Sequence, residues 1–446
     1  MEDKARYVAV KTLYDIDVNK SFSNIKLNEY FKKYNLEQLD RAFASEILYG
    51  TIRWKIKIDY LLQKFSKIKV SKISPWALSC LRTAIYQIYF MDRVPDFAAV
   101  NQAVEISKKQ ERKSSSFVNG ILRNILRNKD EFENINEADE NQRLSIEYSH
   151  PKWFVELLIK QYGKDFTIDL MKQNNIPPSL TIRVNTLKCK REDLKKLLIE
   201  KDVEVKDGSL DEALIVKGYG MMEKSKEFRE GLFTIQDESS MLSAKVLDPK
   251  PGEKILDMCS APGGKSTHMA QLMENKGEIV SIDIYEHKIK LIKENAKKLG
   301  ISIINTKIMD SEVFNNELVE CADRVLVDAP CSGLGLIRKK PEIRWNVSYE
   351  DILALAKIQY NILKNASKYV KEKGTLVYST CTITKKENEE IIKKFLEENK
   401  NFSMVDISKY IPDNYINETC KEGYIKLFPN MQHTDGFFIA KLIRNW

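Results

Sequence analysis

The chain has 446 residues, a formal net charge of +8, and 43% hydrophobic and 30% charged residues. This length exceeds one ordinary hydrophobic core, so we expect two or three domains. We find no apolar run near the roughly 18 residues of a membrane span. The charged N-terminus lacks the apolar core of a secretory signal, so a cytoplasmic protein is expected.

Positive charge is concentrated in the first third of the chain. Residues 1–130 contain 24 Lys and Arg against 14 Asp and Glu, whereas the remainder contains 48 against 50. A local excess of this kind suits a module that binds a polyanion. A lysine-rich surface that is merely solvated is the alternative interpretation.

The same basic segment has helical periodicity. Apolar residues recur three and four positions apart, as in Ile58, Leu61, Leu62 and Phe65. Pro75 stands after Ser74 as at a helix start. We therefore predict an all-α domain over residues 1–130.

A change of composition follows the helical domain. Residues 130–142 are acidic and poor in periodic apolar residues, so we predict a linker over 131–145. Beyond it, the pattern predicts a compact α+β module over 146–235. Its predicted elements are helices at 153–162 and 191–201 and strands at 179–187, 203–205 and 213–216.

From residue 236 onwards, short apolar runs alternate with helical stretches. This alternation is typical of an open, mostly parallel sheet, so we predict an α/β Rossmann-like domain over 236–446. The predicted strands are 254–258, 278–282, 302–308, 324–327, 374–378 and 437–442.

The first of these strands leads into a glycine-containing loop, Asp257 to Lys265. In doubly wound sheets a ligand binds at this kind of turn, where the backbone can approach it closely. The loop lacks the Gly-x-Gly-x-x-Gly pattern and the phosphate-binding P-loop spacing, which disfavours a nucleoside triphosphate. S-adenosylmethionine has no phosphates, and Lys265 could hold its carboxylate.

Acids at the ends of the next strands support a nucleoside site. Asp283, 26 residues after Asp257, could accept both ribose hydroxyls, and Asp310 could reach the adenine edge. A glycine turn with a distant aspartate is also common as a purely structural feature. The predicted cofactor-binding residues are Cys259, Ser260, Ala261, Pro262, Gly263, Gly264, Lys265, Asp283, Asp310 and Asp328.

The cysteines and histidines do not form a disulfide or zinc pattern. Seven cysteines occur without a Cys-x-x-Cys pair, and the four histidines lie at no zinc-ligand spacing from them. We expect reduced thiols and no metal.

Cys331 and Cys381 follow the fourth and fifth predicted strands, which are neighbours about 4.8 Å apart in the usual strand order. A thiolate that adds to carbon 6 of a cytosine makes carbon 5 nucleophilic enough to accept a methyl group. Asp328 could hydrogen-bond the ring, and a second thiol could assist release. We expect strand-end amides and cations such as Lys265, Arg338 or Lys340 to lower the pKa of the nucleophile.

Two other interpretations of these cysteines remain open. Both could be small buried residues at strand ends, or they could form a redox-sensing disulfide.

The motifs of residues 146–446 resemble those of the RNA (cytosine-5) methyltransferases. The resemblance implies that Cys381 attacks, that Cys331 releases the product, and that Asp328 is catalytic. Thr382, where the family often has serine, leaves this assignment intact. The matching segments are 257–265, Asp283, Asp310, 328–331, 379–381 and 435–440, with 183–185 and 236–240.

The helical domain narrows the resemblance to the RsmB (Sun, Fmu) family, which has a NusB-like domain. The segments that carry it are 48–54, 92–105 and 117–123. It implies methylation of cytosine 967 of 16S ribosomal RNA, on RNA that is not yet in a complete subunit. We expect a monomer. A base stacked in a duplex hides carbons 5 and 6, so we expect the target in a loop or flipped out.

Two further functions are compatible with parts of this sequence. A transfer-RNA cytosine-5 methyltransferase would have the same catalytic motifs, but the helical domain disfavours it. An RNA-binding scaffold with an inert catalytic half is disfavoured by the intact cofactor and thiol motifs.

Overall fold

A computed structural model describes residues 3–19, 21, 23–218 and 222–446. The chain divides into two compact units, 1–175 and 176–446. Within the described residues, no helix combines the length and the apolar character needed to cross a membrane. The helices of the first unit are α1 (Lys4–Asn19), α2 (Ser23–Lys33), α3 (Gln38–Arg53), α4 (Lys55–Phe65), α5 (Pro75–Phe90), α6 (Asp96–Gln110), α7 (Ser115–Arg127), α8 (Glu140–Glu147), α9 (Lys152–Tyr162) and α10 (Lys164–Asn174).

Helix α5 is the core of the first unit. It begins at Pro75, with Ser74 at the N-cap position, as the sequence predicts. Its Arg82 is buried and donates two 2.7 Å hydrogen bonds to Asp59 of α4 and one of 2.6 Å to Asp17 of α1. These ion pairs join three helices, and the predicted all-α domain is confirmed.

Helix α7 has one apolar and one basic face. Val118 and Leu122 are fully buried, whereas Arg123 and Arg127 are exposed. Neither arginine, nor Lys113 just before the helix, has an ion pair within the described part of the chain. Unpaired surface cations contribute little to folding stability and are free to bind an external anion.

The second unit begins with a small antiparallel sheet in the order β2-β3-β1-β4. Three of its strands lie where the sequence predicts them, whereas β4, with only three residues, was too short to be recognised from its pattern. The elements are β1 (Leu180–Val184), α11 (Arg191–Ile199), β2 (Glu204–Asp207), β3 (Ala213–Lys217), α12 (Lys226–Arg229) and β4 (Phe233–Ile235).

The rest of this unit is built on an eight-stranded sheet. Its elements are α13 (Glu238–Leu247), β5 (Lys254–Asp257), α14 (Gly264–Leu272), β6 (Glu278–Asp283), α15 (Glu286–Leu299), β7 (Ile304–Ile308), β8 (Ala322–Asp328), α16 (Ile343–Asn346), α17 (Tyr349–Ser367), β9 (Val370–Thr380), α18 (Glu389–Glu398), β10 (Phe402–Met404), β11 (Tyr424–Leu427) and β12 (Phe437–Arg444). All six predicted strands are present.

The strand order is β10-β12-β9-β8-β5-β6-β7, and β11 also pairs with β12. Strands β5 to β9 are parallel, and β12 runs antiparallel to β9. The carboxyl ends of the parallel strands therefore lie at one edge. The apolar strands are sandwiched between two large clusters of buried residues, which fixes that edge rigidly.

Candidate active site

A cavity of about 400 Å³ lies at the carboxyl edge of the parallel strands. It contains both predicted catalytic cysteines, Asp328 and four other predicted cofactor residues. Its lining residues are Met258, Cys259, Ala261, Asp283, Ile284, Tyr285, Lys288, Met309, Asp310, Ser311, Glu312, Asp328, Ala329, Pro330, Cys331, Ile358, Ile362 and Cys381.

The other predicted cofactor residues support the turn below this lining. Both the amide and the hydroxyl of Ser260 donate to the carbonyl of Ile282, at 2.9 and 2.7 Å. Gly263 has φ of +98° immediately before α14, a conformation that favours glycine. Pro262 and Gly264 lie in the same turn. These contacts hold the loop between β5 and α14 in one conformation.

Asp257, at the end of β5, is buried beneath the loop. Its Oδ2 accepts a 2.6 Å hydrogen bond from Ser266. Burial, opposed by that bond and increased by the charge of Asp328, raises the pKa of Asp257 to about 7. Asp257 therefore orients the start of α14 from below and is not part of the cavity wall.

The two acids predicted to recognise a nucleoside are both in the cavity wall. Asp283 accepts from the amide of Tyr285 at 3.1 Å, and Asp310 accepts from the amide of Glu312 at 2.9 Å. The lining also includes apolar side chains, among them Ile358 of α17. Carboxylates can accept hydrogen bonds from ribose hydroxyls, and apolar side chains can pack on a flat base. These residues therefore fit an adenosyl group.

Arg183 connects the small sheet to the cofactor helix. Its guanidinium is buried and donates to the carbonyl of Gly264 at 2.8 Å, to the hydroxyl of Thr267 at 3.0 Å, and to Gln236. Burial lowers the pKa of Arg183 to about 9. The sequence marks Arg183 and Gln236 as motif residues, and the structure shows that they position the start of α14.

Asp328, at the end of β8, forms an ion pair inside the site. Its Oδ2 lies 2.6 Å from the ammonium of Lys265, and its Oδ1 accepts a 2.9 Å hydrogen bond from Ser379. Lys265 is engaged with Asp328 rather than exposed in the cavity wall. The pair brings a fixed acid and a fixed cation to one side of the cysteines.

Cys331 and Cys381 meet across the ends of β8 and β9. Their sulfurs are 3.0 Å apart, and both side chains are partly buried. The hydrogen bond with Cys381 is the main cause that raises the pKa of Cys331 far above its ordinary value, and burial and the charges of Cys381 and Glu387 add to it.

The cations suggested from sequence contact groups other than the two sulfurs. Lys265 contacts Asp328, Lys340 is exposed, and Arg338 donates to the carbonyls of Ile176 and His433 at 3.4 and 3.2 Å. Sequence order places Arg338 and Lys340 shortly after Cys331, but the turn after Gly333 directs Arg338 towards other loops.

A buried glutamate that the sequence did not suggest connects the two cysteine loops. Glu387 is 0% exposed and accepts hydrogen bonds from residues beside both cysteines. It stands in a run of lysines and glutamates that reads as a solvated helix start. The burial of Glu387 could not be predicted from the sequence, because a charged residue among other charged residues gives no periodic pattern.

A second, partly buried charged cluster joins loops of the same unit. The ammonium of Lys339 lies 2.9 Å from Asp237 and 2.6 Å from Asp435. Burial and the charge of Asp237 raise the pKa of Asp435 to about 6. The motifs named both aspartates, but Lys339 was missed because it lies between other basic residues.

Glycines allow the loops of the site to approach each other. The amide of Gly335 donates to the carbonyl of Cys381 at 3.0 Å, and the amide of Gly436 donates to the carbonyl of Gly335 at 2.9 Å. A Cβ atom at Gly335 would lie 1.9 Å from the oxygen of Gly436. Within the described residues, no group of three or more His, Cys, Asp or Glu could hold a metal ion.

Three family models match the chain. One described as 16S rRNA methyltransferase RsmB/F matches residues 244–443. The NusB family model matches residues 3–127, and a ferredoxin-like domain model of RsmF/B-like methyltransferases matches residues 150–222.

Known proteins are similar over about two thirds of the chain or more. The probable ribosomal RNA small subunit methyltransferase B of Bacillus subtilis is 40% identical, with 98% of each chain covered. The solved structure of PH0851 has a TM-score of 0.84 at 30% identity and covers 99% of each chain. That of NSun6 from Pyrococcus horikoshii with SFG has a TM-score of 0.59 at 26% identity, over 66% of this chain and 98% of that one.

Proposed function

The chain belongs to the RsmB/F family of 16S rRNA methyltransferases, and on this premise we propose that it methylates carbon 5 of a cytosine in small-subunit ribosomal RNA. The methyl donor is S-adenosylmethionine. Cytosine 967 is the proposed target. The observation that carries the chemistry is the 3.0 Å contact between two thiols beside the Asp328 carboxylate.

The proposed first step is addition of the Cys381 thiolate to carbon 6 of the cytosine. A carbon–sulfur bond forms, and electrons of the C5–C6 double bond move into the ring. Asp328 accepts a hydrogen bond from the exocyclic amine, and Lys265 neutralises the carboxylate while the ring becomes more negative. Both groups are held before the reaction, so they need not reorganise.

Bound S-adenosylmethionine supplies an electrophilic methyl group. The proposed cofactor residues are those that line the cavity, Cys259, Ala261, Asp283, Asp310 and Asp328, together with those that form its turn, Ser260, Pro262, Gly263, Gly264 and Lys265. Release requires loss of the proton on carbon 5 and cleavage of the bond to Cys381. Cys331, 3.0 Å from that sulfur, is the proposed base.

The domain organisation suits a large RNA substrate. We propose a NusB-like helical domain at 1–130, a linker at 131–145, a ferredoxin-like module at 146–235 and the catalytic domain at 236–446. The exposed cations of α7 would contact phosphates, which anchors RNA without reading its sequence. The cytosine would leave its stack to reach the cavity.

The test uses labelled methyl incorporation into unmodified 16S ribosomal RNA, followed by mapping of the modified nucleotide. We expect 5-methylcytosine at one position. Incorporation into transfer RNA alone would favour the alternative substrate, and tight RNA binding without incorporation would favour a scaffold.

The assignment of the two cysteines has a separate test. Cys331→Ala should accumulate a covalent protein–RNA adduct because release is blocked, whereas Cys381→Ala should form none. Denaturing electrophoresis of labelled RNA measures both, and the opposite pattern would exchange the two roles.

A further inference from the structure

The loops of the two cysteines share one carboxylate. Glu387 accepts hydrogen bonds from the amide and hydroxyl of Ser332, at 2.8 and 2.7 Å, and from the hydroxyl of Thr382, at 3.0 Å. Ser332 follows Cys331 and Thr382 follows Cys381, so Glu387 joins the two loops to each other. A contact of this kind does not hold one sulfur independently of the other.

A buried amide holds the loop of Cys331. The Nε2 atom of Gln359, in α17, donates to the carbonyl of Pro330 at 2.9 Å, and Pro330 immediately precedes Cys331. The same atom donates to Glu387 at 3.1 Å. Gln359 therefore ties the loop of Cys331 to helix α17.

Gln359 is a costly residue at this point of the helix. It is 0% exposed, and its Oε1 atom has no hydrogen-bond partner in the part of the chain that the structure describes. A buried acceptor without a partner costs free energy that an apolar side chain would not cost. The bond to Pro330 is a contact that an apolar side chain could not supply.

A second buried amide holds the loop of Cys381. Asn388 is 1% exposed, its Oδ1 accepts from the hydroxyl of Thr380 at 2.5 Å, and its Nδ2 donates to the carbonyl of Thr382 at 3.0 Å. Thr380 and Thr382 are the residues on either side of Cys381. Asn388 therefore fixes the chain directly before and directly after this cysteine.

Asn388 does not make the contact that its place in the helix favours. It stands at the N-cap position of α18, where an asparagine side chain typically accepts from an amide of the first turn. Its side chain makes no such bond. Because its oxygen and its nitrogen both contact the loop of Cys381 instead, Asn388 stabilises that loop rather than the helix end.

We propose that Gln359 and Asn388 are positioning residues with separate tasks: Gln359 places Cys331 for release of the product, and Asn388 places Cys381 for attack on the base. This proposal rests on the proposed function for the roles of the two cysteines. In release, the thiolate of Cys331 takes the proton from carbon 5. The electrons of that C–H bond form the ring double bond, and the electrons of the C6–S bond return to Cys381.

The first test needs no RNA. Gln359→Met and Asn388→Leu remove the amides with little change of side-chain shape. Each variant is alkylated by iodoacetamide at one pH, and each cysteine peptide is quantified by mass spectrometry over time. Since the loss of a hydrogen bond favours local opening of the loop it held, the labelling of Cys331 relative to Cys381 should rise about tenfold in Gln359→Met and fall about tenfold in Asn388→Leu.

Asn185→Leu is the matched control. Asn185 is 2% exposed and donates to the carbonyls of Gly231 and Leu299, both at 2.9 Å, outside the loops of the two cysteines. Its loss should destabilise the fold and leave the labelling ratio as in the unsubstituted protein. If the ratio stays constant in Gln359→Met and Asn388→Leu, or moves in the same direction in both, the proposal is overturned.

The second test follows the reaction on unmodified 16S ribosomal RNA with S-adenosylmethionine. Gln359→Met should accumulate the covalent protein–RNA adduct, because attack proceeds and release is slow. Asn388→Leu should lower kcat without accumulating the adduct, because attack itself is slow. Denaturing electrophoresis measures both, and an adduct that accumulates in Asn388→Leu but not in Gln359→Met would overturn the assignment of tasks.

Further outcomes separate this proposal from the proposed function. If the unsubstituted protein does not methylate RNA, the proposed function fails, and the labelling ratios still decide whether each amide holds its own cysteine. If the ratios do not diverge while methylation proceeds, only the separate tasks are refuted. Should a variant fail to fold, a milder one takes its place: Thr380→Val removes one bond of Asn388, and Gln359→Asn draws the amide back from Pro330.

Discussion

The exposed face of helix α7 and the carboxyl edge of the large sheet hold their charged groups in opposite ways. Arg123 and Arg127 are exposed and unpaired within the described residues, whereas Asp328 is bonded to both Lys265 and Ser379. Exposed charges act almost independently and are screened by salt, whereas bonded charges in a cavity act as one unit. Substitutions on α7 should therefore have small, additive effects, and substitutions at the sheet edge large ones.

The largest effect on activity is expected at Lys265, which is bonded to Asp328 at the carboxyl edge of the sheet. Lys265→Met keeps the length of the side chain but leaves the Asp328 carboxylate without its cation. We expect kcat to fall about a hundredfold, the scale of losing one preorganised electrostatic contact. Steady-state methyl transfer measures it, and a loss below threefold would contradict the role given to the pair.

A second, intermediate effect concerns the pH dependence of stability. The pKa of Asp257 is raised to about 7 by burial, so the folded state binds a proton that the unfolded state releases. The free energy of unfolding should therefore fall as pH rises from about 4 to 7, by up to about 1.4 kcal/mol per pH unit from this group.

Asp257→Asn removes that dependence while its amide oxygen can still accept from Ser266. Urea unfolding at pH 5 and pH 7.5 should show the variant gaining about 2 kcal/mol relative to the unsubstituted protein at the higher pH. Asp435, whose pKa is raised to about 6, is unchanged in both proteins. Parallel pH profiles would show that Asp257 does not titrate in this range.

The smallest effect is expected on the exposed face of helix α7. Arg123→Ala and Arg127→Ala should each weaken RNA binding a few-fold, leave kcat unchanged, and reduce the salt dependence of binding by about one phosphate contact. Filter binding at several salt concentrations measures this. Glu105→Ala, which removes an acidic residue elsewhere in the helical unit, is the control expected to leave that salt dependence unreduced. Equal salt slopes for all variants would remove α7 from the interface.

The two regions also differ in how far sequence could predict them. Six strands of the large sheet, the cofactor turn and the proximity of Cys331 to Cys381 follow from apolar runs, glycines and the order of parallel strands. Glu387 and Lys339 do not, because a charged residue among other charged residues gives no periodic pattern. Strands β10 and β11 were missed for a related reason: each is short and is formed by pairing with β12.

The central claim is that Cys381 bonds to the target base. In RNA that contains 5-fluorocytosine, fluorine replaces the hydrogen on carbon 5. Fluorine cannot leave without its bonding electrons as a proton does, so the covalent intermediate is trapped after methyl transfer. Proteolysis and mass spectrometry of the trapped complex identify the modified peptide. The account predicts a nucleotide on Cys381. A nucleotide on Cys331 would contradict it, and so would the absence of any adduct while methylation proceeds on normal RNA.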